Sequence, residues 1–315
     1  MIQITRLMKI REMKMVQYRK ISALIIFCLL ITGVTAGQSV LAQSERYNFI
    51  LDGSLQKNYP LERDGYFSVE NINGDIEIES WDRQEVEIEI DERRRGDYEL
   101  EFEFNVRSDR IEISAKKPRR VNSRRSPSAF ITVKVPNNLE LAAETTNGSV
   151  RVENINGPVE ARTTNGSVFV SNVMGDVDAH TTNGKVELEN ITGHVRARST
   201  NQSIYLEEIK GSRIDASTTN GGIRADIEVD DNGKYDFSTT NGSIRVTIPE
   251  NSNADVEAHC RPGSFHSDFD ILVSGSRTRQ NTFNWTSRTI RGTINDGGAS
   301  INMETTNGSV DLRAR

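Results

Sequence analysis

Cysteine and histidine are nearly absent from this sequence, which contains two cysteines and four histidines in 315 residues. Cys28 lies in an apolar segment near the N-terminus, and Cys260 is the other thiol. If that segment is removed, Cys260 remains alone and no internal disulfide can form. The histidines are scattered and lack the close ligand spacing of a zinc site. We therefore expect neither a metal nor a cofactor.

Apolar and aromatic residues are also scarce, at 35% and 6% of the chain. Such a composition can indicate disorder. Here, however, valine and isoleucine recur at regular intervals, which favours an ordered, repetitive fold.

The N-terminal residues have the pattern of a signal peptide. Six basic residues precede an apolar run from Ile21 to Val34, and Val40-Leu41-Ala42 offers a cleavage site. A retained membrane anchor is the alternative, but the run is short for a bilayer span. Lipidation of Cys28 is disfavoured because bulky residues precede it, and the true start is either Met1 or Met15. We predict export to the periplasm, the cell surface or the medium.

The remaining chain is acidic. Residues 1–42 hold six of the 39 basic and one of the 45 acidic residues, so 33 basic and 44 acidic residues remain, a net charge of −11. Distributed negative charge favours solubility and repels a phosphate backbone. We expect a soluble mature part without a membrane span, and no nucleic-acid partner.

The segment Thr-Thr-Asn-Gly, or a close variant, recurs along the chain. Its asparagines are Asn147, Asn165, Asn183, Asn201, Asn220, Asn241 and, after a gap, Asn307. The first six are separated by steps of 18, 18, 18, 19 and 21 residues. A unit this short cannot bury its own apolar side, so neighbouring units must stack. The repeat predicts an all-β, single-stranded β-solenoid with coils of about 18 residues.

Each coil is predicted to contain two short strands joined by tight turns. Apolar residues precede Asn147 at Leu141 and Ala143 and follow it at Val150, Val152 and Ile155, and later coils repeat this pattern. Alternate residues of a strand share one face, so these side chains point inward. Asn-Gly supplies positive φ at tight corners, and we expect it here and at the glycine of the other corner, which is Gly157 in the first coil. Stacked asparagines form a structural hydrogen-bonded ladder; a repeated ligand site is the alternative.

The repeat also divides the chain. We predict a signal peptide at 1–42, irregular β-coils at 43–140, the regular solenoid at 141–248, and an excursion with a closing coil at 249–315. Val69–Gly74 repeats Val152–Gly157 letter for letter, which predicts a coil near residue 70. Exposed strands at a solenoid end need covering, so residues 249–293 are interpreted as a loop or partial cap.

Several segments together resemble the bacterial DUF4097 family of candidate adhesins with β-strand repeats. They are Asn73-Gly74-Asp75-Ile76 followed by Trp81-Asp82, then Val133-Lys134-Val135-Pro136, and finally Gly297–Ile301 with Thr306-Asn307-Gly308-Ser309. The resemblance covers about residues 60–315. It implies an exported all-β solenoid of the cell envelope with no established catalytic residues.

Two alternatives to an adhesin-like binding or structural role remain open. A carbohydrate-active β-helix enzyme, a lyase or hydrolase, needs a groove walled by long loops and paired carboxylates. Outward alternation along strands explains carboxylate pairs such as Glu187 with Glu189 without catalysis, so we predict no enzyme. An envelope-stress signalling accessory domain is the other alternative. A calcium β-roll is disfavoured because the repeated corner carries no carboxylate.

One outward pattern suggests a binding surface. Arg162, His180 and Arg198 stand three positions before the asparagine on consecutive coils, beside a mostly acidic column. Either the two columns neutralise each other, or the three basic residues form a strip that binds an anionic glycan or an envelope or surface protein. The sequence does not decide between them.

Overall fold

The computed structural model describes residues 45–94, 98–117, 126–261, 263–273, 279–285 and 288–315. The predicted signal peptide, residues 1–42, lies outside these ranges. The described residues form 26 strands and no helix. The all-β prediction is therefore confirmed.

The strands follow one another along the whole described chain. The first eight are β1 Glu45–Ile50, β2 Ser54–Pro60, β3 Gly65–Asn73, β4 Ile76–Trp81, β5 Glu85–Arg94, β6 Glu101–Val106, β7 Arg110–Lys116 and β8 Ser128–Pro136. The regular repeat contains β9 Leu139–Asn147, β10 Val150–Asn156, β11 Val159–Asn165, β12 Val168–Met174, β13 Val177–Thr181, β14 Val186–Thr192, β15 Val195–Ser199, β16 Ile204–Lys210, β17 Arg213–Thr218, β18 Ile223–Glu228, β19 Lys234–Asn241 and β20 Ile244–Ile248. The last six are β21 Ala254–Cys260, β22 Gly263–Val273, β23 Arg279–Trp285, β24 Arg288–Ile294, β25 Ala299–Asn307 and β26 Val310–Ala314.

Parallel pairing arranges most strands in two stacks. The first stack runs β7-β3-β9-β11-β13-β15-β17-β19-β25-β21. The second stack runs β8-β4-β10-β12-β14-β16-β18-β20-β26-β22. One strand of each stack makes one coil, as the solenoid prediction requires. At the C-terminal end β22 pairs with both β26 and β24, so the two stacks join there.

The order of coils along the axis differs from their order in the chain. The β3–β4 coil lies between β7–β8 and β9–β10, and the closing β25–β26 coil lies between β19–β20 and β21–β22. Residues 254–260 and 263–273, which the sequence interpretation placed in a loop or partial cap, form strands on the far side of the closing coil. Antiparallel strands extend both ends, with β1, β2, β5 and β6 at one and β23 and β24 at the other.

Register places like side chains over like along the axis. Val150, Val168 and Val186 are successive partners in the second stack, and Ala161 and Ala179 pair in the first. These side chains are no more than 2% exposed. Burial of apolar surface contributes about 25 cal/mol per Å² to stability. A coil buries its apolar side chains only against its neighbours, so each coil is stabilised by the coils beside it.

Positive φ occurs at one of the two predicted corners and not at the other. The Asn-Gly of the Thr-Thr-Asn-Gly motif has none, whereas at the other corner Asn154 has φ 64° and Gly157 has φ 149°, and the next two coils repeat this pair. Asn154 bends β10 so that Val152 and Ile155 both point inward, which explains their odd spacing. The prediction was therefore wrong for the Asn-Gly corner of the motif and is confirmed for the glycine of the other corner at Gly157, Gly175 and Gly193.

Close packing accounts for the glycine at most of the Asn-Gly corners. A Cβ on Gly166 would overlap the carbonyl oxygen of Gly148 on the preceding coil, and a Cβ on Gly184 would overlap that of Gly166. The Asn201 copy carries Gln202 at this position, so one corner accommodates a side chain. The motif glycine thus permits backbones to approach closely.

Candidate functional site

The first threonine of the motif is buried and bonded to the neighbouring coil. Thr181 is 0% exposed. Its hydroxyl donates to the carbonyl oxygen of Gly166 at 2.8 Å and accepts from the amide of Gly184 at 3.2 Å. The equivalent residues of the other coils make the same donation, for example Thr163 to Gly148 at 2.7 Å. This threonine therefore satisfies a corner carbonyl between coils.

The motif asparagines form a continuous hydrogen-bonded ladder. Each Nδ2 donates to the Oδ1 of the asparagine on the adjacent coil, as in Asn165 to Asn147 and Asn183 to Asn165, both at 2.7 Å. The ladder comprises Asn147, Asn165, Asn183, Asn201, Asn220, Asn241 and Asn307, with donor–acceptor distances of 2.7–3.1 Å. These amides bond to one another, which fits a structural role.

Sequence reasoning missed two parts of this network. Asn73 is the first member of the ladder, because Asn147 Nδ2 donates to Asn73 Oδ1 at 2.7 Å. A second ladder joins Asn190, Asn172 and Asn154 at 2.8 and 3.1 Å. The signals were present, since the segment at Val69–Gly74 copies a later coil and the second set of asparagines recurs every 18 residues.

The predicted basic strip does form a row. Arg162 pairs with His180, and His180 with Arg198, on consecutive strands of the first stack. Their side chains lie on its outer face, and those of Arg162 and Arg198 are 40% and 48% exposed.

Carboxylates of the neighbouring column pair with this row. Arg162 forms ion pairs with Glu160 and, at 3.8 Å, with Asp178. Arg198 Nη2 lies 3.3 Å from Asp215 Oδ2. Such exposed pairs contribute about 0–1 kcal/mol each. The strip is thus largely neutralised by its own neighbours.

A shallow groove of about 370 Å³ crosses the same face. Its lining includes Tyr66, Glu140, Asp176, Asp178 and Asp215. Asp178 and Asp215 have side chains 33% and 36% exposed and lie within 4 Å of arginines. Both carboxylates are therefore held beside positive charge on this face.

A second depression of about 380 Å³ lies beside it, towards the N-terminal end. Arg110 stacks on the ring of Tyr66, its Cζ 3.9 Å from the ring centroid. Arg110 Nη1 also donates to Glu112 Oε1 at 2.9 Å, and this hydrogen bond lowers the pKa of Glu112. The pairing holds the Glu112 carboxylate in place.

Two features are absent from the described ranges. No three His, Cys, Asp or Glu side chains there come together as a metal site. No helix in those ranges has the length and hydropathy needed to span a bilayer.

Comparison with known protein families identifies the family of this chain. The sequence profile of the family described as Toastrack DUF4097 matches residues 67–313. The chain belongs to the DUF4097 family. The DUF4097 match begins in β3 and ends in β26, so it includes the regular repeat and both displaced coils. No curated protein matches the chain.

Several solved structures are similar to this DUF4097 chain. One, from Clostridium sporogenes, is described as a candidate cell adhesion protein; it is 11% identical, with 83% of this chain and 100% of that chain covered and a TM-score of 0.28. Two candidate adhesins, from Bacteroides fragilis and Parabacteroides merdae, are 10% and 8% identical. Each alignment covers 82% of this chain and 96% of the other, with a TM-score of 0.35.

Proposed function

We propose that this chain is an exported, non-enzymatic protein of the cell envelope or cell surface with an adhesin-like binding or structural role. The observation that carries the proposal is the absence of long connections between the stacked strands of the repeat. From β9 to β20, consecutive strands are joined by only two to five residues. Loops this short cannot wall a catalytic cleft, so the repeat offers broad polar faces.

The chemistry of the motif supports the same proposal. Threonine, asparagine and glycine of the repeat are all engaged between coils, through hydroxyl–carbonyl bonds, the amide ladder and close backbone contact. The motif therefore builds the scaffold, and partner binding falls to side chains on the outer faces. A glycan or an envelope or surface protein is the partner class that this predicts.

A glycan array with the purified protein, run beside an assay for newly released reducing ends, tests the proposal. We expect binding without release. Arg162→Ala with Arg198→Ala tests the strip predicted from the sequence, and loss of salt-sensitive binding would assign the ligand to it.

A carbohydrate-active enzyme is the second candidate, favoured by the carboxylates lining the 370 Å³ groove. Release of reducing ends, abolished in Asp178→Asn, would establish the enzyme and overturn the binding proposal.

A further inference from the structure

Four successive polar side chains of one outward column lie on the second stack near its C-terminal end, with Glu187 before them and His266 after them in the register. Tyr205 of β16, Arg224 of β18, Arg245 of β20 and Asp311 of β26 are successive register partners. Neighbouring strands are about 4.8 Å apart, so the row places one side chain per step along the axis.

A groove of about 270 Å³ follows this row. Its floor includes Ser203, Gly222 and Ser243, which stand two positions before the tyrosine and the arginines. Gly222 lies between two serines and leaves a gap where its neighbours have side chains. The groove therefore opens directly beside Arg224.

The ion pairs of this face leave Arg224 available. Arg151 and Lys185 each pair with a glutamate two residues later, Arg151 with Glu153 at 3.1 Å and Lys185 with Glu187 at 2.6 Å.

The carboxylate two residues after Arg224 belongs to Asp226, which pairs with another arginine. Nη1 of Arg315 lies 3.1 Å from Asp226 Oδ1, in an ion pair that lacks hydrogen-bond geometry. Within the described ranges, the exposed Arg224 has no carboxylate within 4.0 Å.

The other members of the row complete a recognition surface. Arg245 Nη2 lies 3.3 Å from Asp311 Oδ2, and Arg313 Nη2 lies 3.2 Å from Asp311 Oδ1. The Asp311 side chain is 19% exposed, so it holds the Arg245 guanidinium at the groove edge. Tyr205 is 41% exposed and presents its ring to solvent.

We infer that this groove is a binding subsite for a polysaccharide whose sugars carry carboxylates, that is, a uronic-acid polymer. The ring of Tyr205 offers an apolar face to the C–H face of a pyranose. The planar guanidinium of Arg224 matches a carboxylate through two parallel hydrogen bonds. Arg245 lies one step further along the axis, where its ion pair with Asp311 holds it at the groove edge. This inference rests on the proposed binding function and names its ligand class.

Biolayer interferometry with immobilised polygalacturonate tests the inference, with its neutral methyl ester as the ligand control. We expect binding to the acid polymer that weakens with added salt, and weaker binding to the ester. Arg224→Gln removes a charged hydrogen-bonding pair and is expected to weaken binding by about tenfold or more. Arg151→Gln is the matched control, because Arg151 lies in the same column but is paired, and it is expected to bind as the wild type does.

A second variant addresses the groove and not the charge. Gly222→Ser inserts the side chain that the neighbouring coils carry, and its Cβ would lie 3.0 Å from the carbonyl oxygen of Ser243. We expect weaker binding with an unchanged circular dichroism spectrum.

Different results overturn different claims. Equal binding of acid and ester, unchanged binding in Arg224→Gln, or no binding to polygalacturonate would overturn the subsite. The proposed function survives each of those results if the protein still binds another glycan or envelope protein. Release of reducing ends from polygalacturonate would instead overturn the proposed function.

Discussion

Replacing Thr181 by valine isolates the contribution of the buried threonine to coil stacking. Valine has nearly the same shape, so the substitution leaves no cavity and removes only the hydroxyl. The hydroxyl's two partners, the carbonyl oxygen of Gly166 at 2.8 Å and the amide of Gly184 at 3.2 Å, then lose a bond. Thr181 is 0% exposed, so water does not readily replace it.

The expected cost follows from those two groups. A buried polar group left without its partner costs about 1–3 kcal/mol. The shorter bond dominates, because the 3.2 Å contact is at the long end of the normal range. We expect Thr181→Val to lower the free energy of unfolding by about 2 kcal/mol.

Urea unfolding followed by circular dichroism measures this difference. Thr164→Val is the matched control, since Thr164 is the exposed second threonine of the motif, and we expect a change below about 0.5 kcal/mol. A Thr181→Val protein as stable as the wild type would refute a stabilising role for the threonine.

Three further predictions follow from the contacts. Asn183→Ala removes two hydrogen bonds of the ladder, whereas Asn307→Ala removes one. In urea unfolding, the free energy of unfolding should therefore fall by about 1 kcal/mol in Asn183→Ala and by about half as much in Asn307→Ala. Equal losses would contradict the ladder. The hydrogen bond from Arg110 lowers the pKa of Glu112 in the folded state. The stability that this bond contributes is therefore present above the unfolded-state pKa, about 4.3, and is lost as the pH falls through the folded-state pKa. Glu112→Gln should therefore flatten the acid side of the stability profile, and an unchanged profile would exclude this contribution. Burial raises the pKa of Cys260, so a thiol reagent at pH 7 should react with it only after unfolding, and rapid reaction in the folded state would contradict its burial.

The sequence could predict the coil because its period and its apolar columns are local. Leu141, Ala143, Val150 and Val152 alternate as buried strand residues do, and all are buried. The conformation of the Asn-Gly corner could not be predicted in the same way. An Asn-Gly pair usually indicates positive φ. Here, however, Gly166 is needed because a Cβ at this position would overlap the backbone of Gly148 on the preceding coil. A single coil considered alone does not reveal that contact.

The axial order was beyond sequence reasoning. Asn241 and Asn307 are 66 residues apart yet bonded at 2.7 Å, and strands β21 and β22, which lie between them in sequence, are on the far side of the closing coil. Columns show which residues are equivalent, but they do not show which coil lies next to which. That order depends on packing between the less regular coils.

The candidate surfaces were predictable only in part. The row of Arg162, His180 and Arg198 followed from the period, whereas its pairing with Asp178 and Asp215 depends on side-chain geometry. The availability of Arg224 arises because Arg315 pairs with Asp226, a contact between residues far apart in sequence. Spacing within the repeat carries no information about it.

Disulfide trapping across the 66-residue gap tests the stacked scaffold most directly. Asp236 and Asn302 are register partners on adjacent coils, about 4.8 Å apart, within the range that a disulfide spans. Glu257 pairs with Asn302 from the other side, so it lies about 9.6 Å from Asp236, which is too far. In a Cys260→Ala background, Asp236→Cys with Asn302→Cys should form an internal disulfide, and Asp236→Cys with Glu257→Cys should not. A disulfide in the second pair but not the first would mean that the coils stack in chain order, which would contradict the account.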